Sequence, residues 1–133
     1  MEKANPKLEL LANRYLREYC AVFPSVSTYY GLVEYYRFLT YPTQRRLKSF
    51  IAFLEDLSKQ TKTISGEMSE MEKIDQEVFQ YVLNLEMFML QHPPYEESNV
   101  NPAELVLHGV QDILDLPTLT DQKKYGLILS RLD

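Results

Sequence analysis

Tryptophan is absent from this chain of 133 residues, cysteine occurs once, histidine twice and glycine four times. Each shortage removes a class of chemistry. The single cysteine, Cys20, cannot close an internal disulfide. It lies among apolar residues with no base in its sequence neighbourhood, so it reads as a buried core thiol and not as a nucleophile. His92 and His108 lack the one-turn spacing by which a zinc-binding helix presents two imidazoles on one face. His92, next to Pro93, reads as an exposed helix-end residue, and His108 lies on a helix between Leu107 and Gly109. Neither a Gly-x-Ser-x-Gly elbow nor a Gly-x-x-x-x-Gly-Lys phosphate loop is present. No uninterrupted apolar run approaches the roughly 20 residues of a membrane span. The opening residues carry no apolar signal region, and together these features predict a soluble, cytoplasmic protein that does not enter a membrane.

What the chain does contain is an ordinary globular composition, 45% hydrophobic and 25% charged, enough for a folded core. The net charge of −5 argues against nucleic acid as a partner, because phosphate binding needs a surplus of Lys and Arg. Charge is uneven. Residues 67–104 hold nine acidic side chains against one basic, Lys73, a local charge of −8. Such a run reads as solvated helix faces or as a contact with a basic surface.

Capping residues and prolines divide the chain into helices. Asn5-Pro6 is a start signal, since Asn accepts from a free backbone N–H and Pro has no N–H to leave unpaired. Leu8, Leu11, Ala12, Tyr15, Tyr19 and Val22 then recur at helical spacing, and this helix should stop near Phe23. Pro24 to Gly31 forms a short element ended by glycine, and Leu32 to Tyr41 is compatible with a strand or a loop. Tyr41-Pro42 opens a third helix with an apolar stripe of Leu47, Phe50, Ile51, Leu54 and Leu57, followed by a polar connection from Lys59 to Gly66. Ser69 and Glu72 have the spacing of a capping box. The helix they start carries Ile74, Val78, Tyr81, Val82, Leu85 and Met89 on one face, and from Tyr81 to Leu90 it is apolar nearly all round. Pro93-Pro94 ends it, and His92 to Val100 reads as a loop. Asn101-Pro102 starts a helix with Val106, Leu107, Val110, Ile113 and Leu114, and Thr120 caps a last one through Tyr125, Ile128, Leu129 and Leu132.

The fold class expected is all-α: five or six helices in a mostly antiparallel bundle, residues 1–133 forming one helical domain. The last apolar pattern reaches Asp133 without a closing glycine, which predicts a bundle open at its C-terminal end and an N-terminal part of a longer protein.

Carboxylate pairs are frequent: Glu55-Asp56, Glu70 with Glu72, Glu96-Glu97, and Asp112 with Asp115. Each falls on a polar face or in a loop, where solvated charge is the plain reading, and no catalytic, cofactor-binding or metal-ligating residue is assigned. The tyrosines carry more weight. Tyr29, Tyr30, Tyr35 and Tyr36 put four phenols within eight residues. They either seal the rim of the helical core or form an interface or cleft, since Tyr tolerates half-burial and offers a hydroxyl.

The order of these features resembles a known family. A first helix ends Tyr15-Leu16-Arg17-Glu18-Tyr19, then Phe23-Pro24-Ser25 leads to Tyr29-Tyr30-Gly31-Leu32. A helix from Arg46 to Leu57 and an acidic-start helix with Ile74-Asp75 follow, then Asn101-Pro102 leading to Leu107, Leu116-Pro117, and Leu129-Ser130-Arg131-Leu132. Over nearly all 133 residues this is similar to the N-terminal region of the domain-of-unknown-function family 885, large helical proteins that resemble zinc metallopeptidases. The resemblance implies a helical wall of a substrate cleft, not catalytic by itself, in a metal-dependent hydrolase. The family's metal motif lies beyond this chain, so zinc would belong to a full-length parent and no ligand transfers to any residue here. The implied partner is the remainder of a longer chain. The alternative is a stand-alone interaction module that binds a protein partner or forms a homodimer, with the all-round apolar helix and the tyrosines as contact surface.

Overall fold

The computed structural model describes residues 5–39, 42–92 and 102–133, of which 102–105 by backbone alone. Among these the structure is all-α: α1 (Pro6–Val22), α2 (Ser27–Tyr30), α3 (Gln44–Lys62), α4 (Glu70–Gln91), α5 (Pro102–Leu114) and α6 (Asp121–Leu132). Two single 3-10 turns, Pro24–Val26 and Val33–Tyr35, flank α2. The stretch compatible with a strand or a loop is thus a 3-10 turn and bends as far as Leu39. Tyr41, Pro93-Pro94, Glu96-Glu97 and the Asn101 start signal lie outside the described residues.

The local signals act as their chemistry requires. Asn5 Oδ1 accepts from the Lys7 and Leu8 backbone N–H groups at 3.0 and 3.4 Å. Thr120 Oγ1 accepts from Lys123 N at 3.4 Å. The third helix starts later than the expected Tyr41-Pro42: it begins at Gln44, because Thr43 is its cap and Thr43 Oγ1 accepts from Arg46 N at 3.2 Å. Ser69 forms a full capping box: its hydroxyl accepts from Glu72 N at 3.2 Å, and its own N–H donates to Glu72 Oε2 at 2.8 Å. Gly31 closes α2 in the left-handed region at φ 69°, where a side chain would be strained.

The chain divides into two compact units, Met1–Glu18 with Thr43–Pro94, and Tyr19–Pro42 with Tyr95–Asp133. In the first, α3 and α4 form an antiparallel hairpin. Gln80 Nε2 donates to Ser58 Oγ, and Gln76 Nε2 donates to the carbonyls of Thr61 and Ile64. Rising numbers on one helix therefore meet falling numbers on the other. Phe50, Leu54, Leu57, Phe79 and Leu83 fill this core together with Leu8 and Leu11 of α1. Tyr15 meets Phe79 edge-on with ring centres 6.0 Å apart, and Arg46 pairs with Glu18 at 2.7 Å.

Two expectations are corrected here. The polar connection expected from Lys59 is helix to Lys62. Ser58 and Thr61 are buried, and Thr61 returns its hydroxyl to Leu57 O at 2.8 Å, so small polar residues extend the packed face. Lys59 and Lys62 in the last turn suit the negative end of the helix dipole. The second concerns α4, which is apolar nearly all round from Tyr81 to Leu90. It is not buried on every side: the face of Ile74, Val78, Tyr81, Val82, Leu85 and Met89 is exposed, and the side docked on α3 is that of Gln76, Phe79, Gln80 and Leu83.

In the second unit, α5 and α6 also run antiparallel: Lys124 Nζ donates to Leu114 O at 2.7 Å, and Arg131 reaches Gly109 O. Cys20 and Val22 of the last α1 turn, Tyr36 and Ile113 are buried in this unit. Ile113 alone of the stripe expected on α5 is fully buried. Val106, Leu107 and Leu114 are exposed, because the close approach to this helix is made at Gly109.

Candidate functional site: the outer face of α4 and the Arg131 cluster

α4 is a 22-residue helix, about 33 Å long at 1.5 Å per residue. Met71, Ile74, Val78, Tyr81, Leu85 and Phe88 follow one another at alternating steps of three and four. That spacing keeps all six on one side, opposite the face docked on α3. All six are exposed, from 45% at Leu85 to 66% at Tyr81. Val82 and Met89 widen the stripe along one edge. An apolar band of this length is unusual on a free surface. The charges on α4 gather in its first half, with Glu70, Asp75 and Glu77 beside the stripe. Its second half carries Asn84 and Gln91 at the corresponding places.

The capping box fixes where α4 begins, and the two glutamines that bond α3 fix its rotation about its axis. Sequence periodicity finds the stripe but not its direction. Both faces of α4 repeat with helical spacing, and only the glutamine bonds select the one that docks.

The second arrangement lies within the other unit. Arg131 is buried on α6, with its Nε donating to Tyr36 O and its Nη1 donating to Gly109 O. Its Nη2 has no hydrogen-bond partner among the described residues. Burial lowers its pKa, opposed by the nearby Asp112 and Tyr36. Burial also raises the pKa of Asp112, against the pull of Arg131, His108 and the Tyr29 hydroxyl and with the help of Asp115. The sequence names Arg131 only within the Leu129-Ser130-Arg131-Leu132 stretch of the family likeness and gives it no role. One arginine in a helix looks like any surface cation until two carbonyls converge on it.

The tyrosines separate. Tyr36 is buried and Tyr35 half-buried, while Tyr29 and Tyr30 are exposed, so the four do not share one surface. Cys20 is fully buried, and burial first, then Glu34, pushes its thiol up, away from nucleophilic use. His92 is exposed at the end of α4, stacked on Phe88 with ring centres 4.8 Å apart. Among the described residues no three His, Cys, Asp or Glu side chains are placed to hold a metal ion. No helix among them is long and apolar enough to cross a membrane.

No protein-family model, curated protein or solved structure matches this chain. The likeness to family 885 therefore rests on the sequence features quoted for it, and the functional reading rests on the geometry.

Proposed function

We propose that this chain is a non-catalytic helical module that works by protein–protein contact, with the outer face of α4 as its contact surface. The observation that carries this reading is the exposed stripe from Met71 to Phe88 on a helix whose opposite face is already packed. A helix packed on one side gains nothing from a second apolar face unless something else covers it. The test is to place charge in the stripe with Val78→Asp and Leu85→Asp, at the lowest concentration that circular dichroism can follow. The helical signal and the melting temperature should stay those of the parent. Loss of either would show that the stripe is core of its own chain, and the reading would fall.

The resemblance to family 885 gives the same surface a second use. Further helices of a longer metal-dependent hydrolase would cover it, and this module would form a wall of the cleft. The length of the stripe favours that use as well, since it matches a whole helix. The described residues offer no donor set that fits zinc, so the metal would be held elsewhere in such a parent. In that case the isolated chain shows no peptidase activity, and zinc titration finds no stoichiometric site. Tight one-to-one zinc binding would contradict it.

A further inference from the structure

The stripe on α4 is complementary to itself. Its spacing is that of a coiled-coil seam over three heptads, with Met71, Val78 and Leu85 in one position and Ile74, Tyr81 and Phe88 in the other. When such a helix meets an antiparallel copy, residues of the first set face residues of the second. Met71 meets Phe88, Ile74 meets Leu85 and Val78 meets Tyr81, and the two-fold axis makes each layer twice. Every apolar layer is matched and none hangs over an end.

The flanking residues decide between orientations. In a parallel pair Glu70 of one copy lies beside Asp75 of the other, a like-charge contact repeated on both sides of the seam. In the antiparallel pair Glu70 meets Gln91 and Glu77 meets Asn84, carboxylates facing amides that can donate to them, and Asp75 meets Val82. The acidic half of each helix then lies along the half of its mate whose one charged residue is Glu86. The six seam residues with Val82 and Met89 are each at least 36% exposed, an apolar band running the length of the helix of the kind that a standard interface of roughly 800 Å² per partner covers.

We infer that the occupant of the α4 face is a second copy of this chain, bound antiparallel through the seam from Met71 to Phe88. This rests on the reading of α4 as the contact face.

Sedimentation across a concentration range, combined with disulfide mapping, tests it. The chain should show a reversible monomer–dimer equilibrium. Leu85→Asp should raise the dimer dissociation constant by at least about tenfold. Asn84 is exposed and accepts from Gln80 Nε2 at 3.2 Å within its own helix, so the helical signal of each Asn84 variant is measured beside its dimer constant to separate a change of fold from a change of affinity. Asn84→Glu should weaken the dimer by setting a second carboxylate against Glu77, and Asn84→Lys should tighten it. Met71→Cys mixed with Phe88→Cys should oxidise to the crossed dimer, whereas Met71→Cys alone should not, the native Cys20 being buried.

A dimer indifferent to Leu85→Asp and Asn84→Glu uses another surface and overturns the inference. So does efficient cross-linking of Met71→Cys to itself, which requires parallel helices. A chain that stays monomeric throughout also overturns it. In that last case an apolar dye separates the two readings. Dye binding that Val78→Asp abolishes leaves α4 a contact face for a different protein, while a dye-silent monomer removes the contact face as well.

Discussion

Arg131 carries the largest burden of any side chain in its unit. Two backbone carbonyls, of Tyr36 and Gly109, depend on its guanidinium, and water does not reach them in its place. Arg131→Met keeps the apolar stem and strands both acceptors, at a cost of about 2–4 kcal/mol measurable by urea unfolding. Arg131→Lys has one ammonium for two divergent acceptors and should recover only part of that loss. Gly109 is the other tight point, because a Cβ there would collide with the Leu39 side chain. Gly109→Ala should destabilise by about 1–3 kcal/mol, the cost of pushing a packed leucine aside. Both changes should leave the dimer constant alone once folded protein is selected, since neither residue lies on α4.

Glu86 makes a prediction of opposite sign. Burial raises its pKa, one turn from the apolar Val82, Met89 and Leu90. A carboxyl with a raised folded pKa holds its proton more tightly folded than unfolded. Its contribution is therefore most favourable at low pH and is lost as pH rises through the folded value. At neutral pH the ionised group is a liability. Glu86→Gln should raise the urea midpoint at pH 7, and the gain should shrink towards pH 4, where both forms are neutral. An equal gain at both pH values would point to packing and not to charge.

At the scale of elements, caps and terminators were legible from sequence and packing faces only partly so. Ser69 and Glu72 stand three apart, and the reciprocal bonds between them are local, needing nothing from the rest of the fold. Ser69→Ala should cost about 1 kcal/mol and fray the first turn of α4, seen as faster amide exchange there and little change near Leu83. The seam on α4 is legible as a periodicity, but its direction is not. Its apolar residues outnumber those on the docked face, where Gln76 and Gln80 do the binding through hydrogen bonds. A hydrophobicity pattern ranks that face second, and the part-buried bonds of two glutamines beside the buried Phe79 and Leu83 reverse the ranking. The end of α3 was misplaced for a related reason. Thr61 reads as polar connection, yet it and the preceding Ser58 are each small enough to sit in the core once the hydroxyl finds a partner in the same hairpin.

For the whole molecule the governing quantities are charge and exposed apolar surface. Each copy carries −5, and a dimer brings like net charges together. Raising salt from about 50 to about 300 mM should therefore tighten self-association a few-fold, because the seam is apolar and screening removes only the repulsion. A dimer that weakens with salt would instead be held by ion pairs. Unit two adds its own exposed residues, Tyr29, Tyr30, Tyr125 and Leu129 among them, but without the unbroken three-and-four spacing that makes α4 a seam.

The sequence by itself determined the all-α class, the starts of α1, α4 and α6 and the absence of the common catalytic signatures, because caps, prolines and periodicity act over a few residues. It also contained the seam, its spacing and its flanking charges. The tertiary structure decided which face of α4 was left free, that Arg131 is buried while Tyr29 and Tyr30 are exposed, and that Gly109 takes the close contact. Those outcomes depend on hydrogen bonds and steric approach between residues far apart in the chain, which no local pattern records.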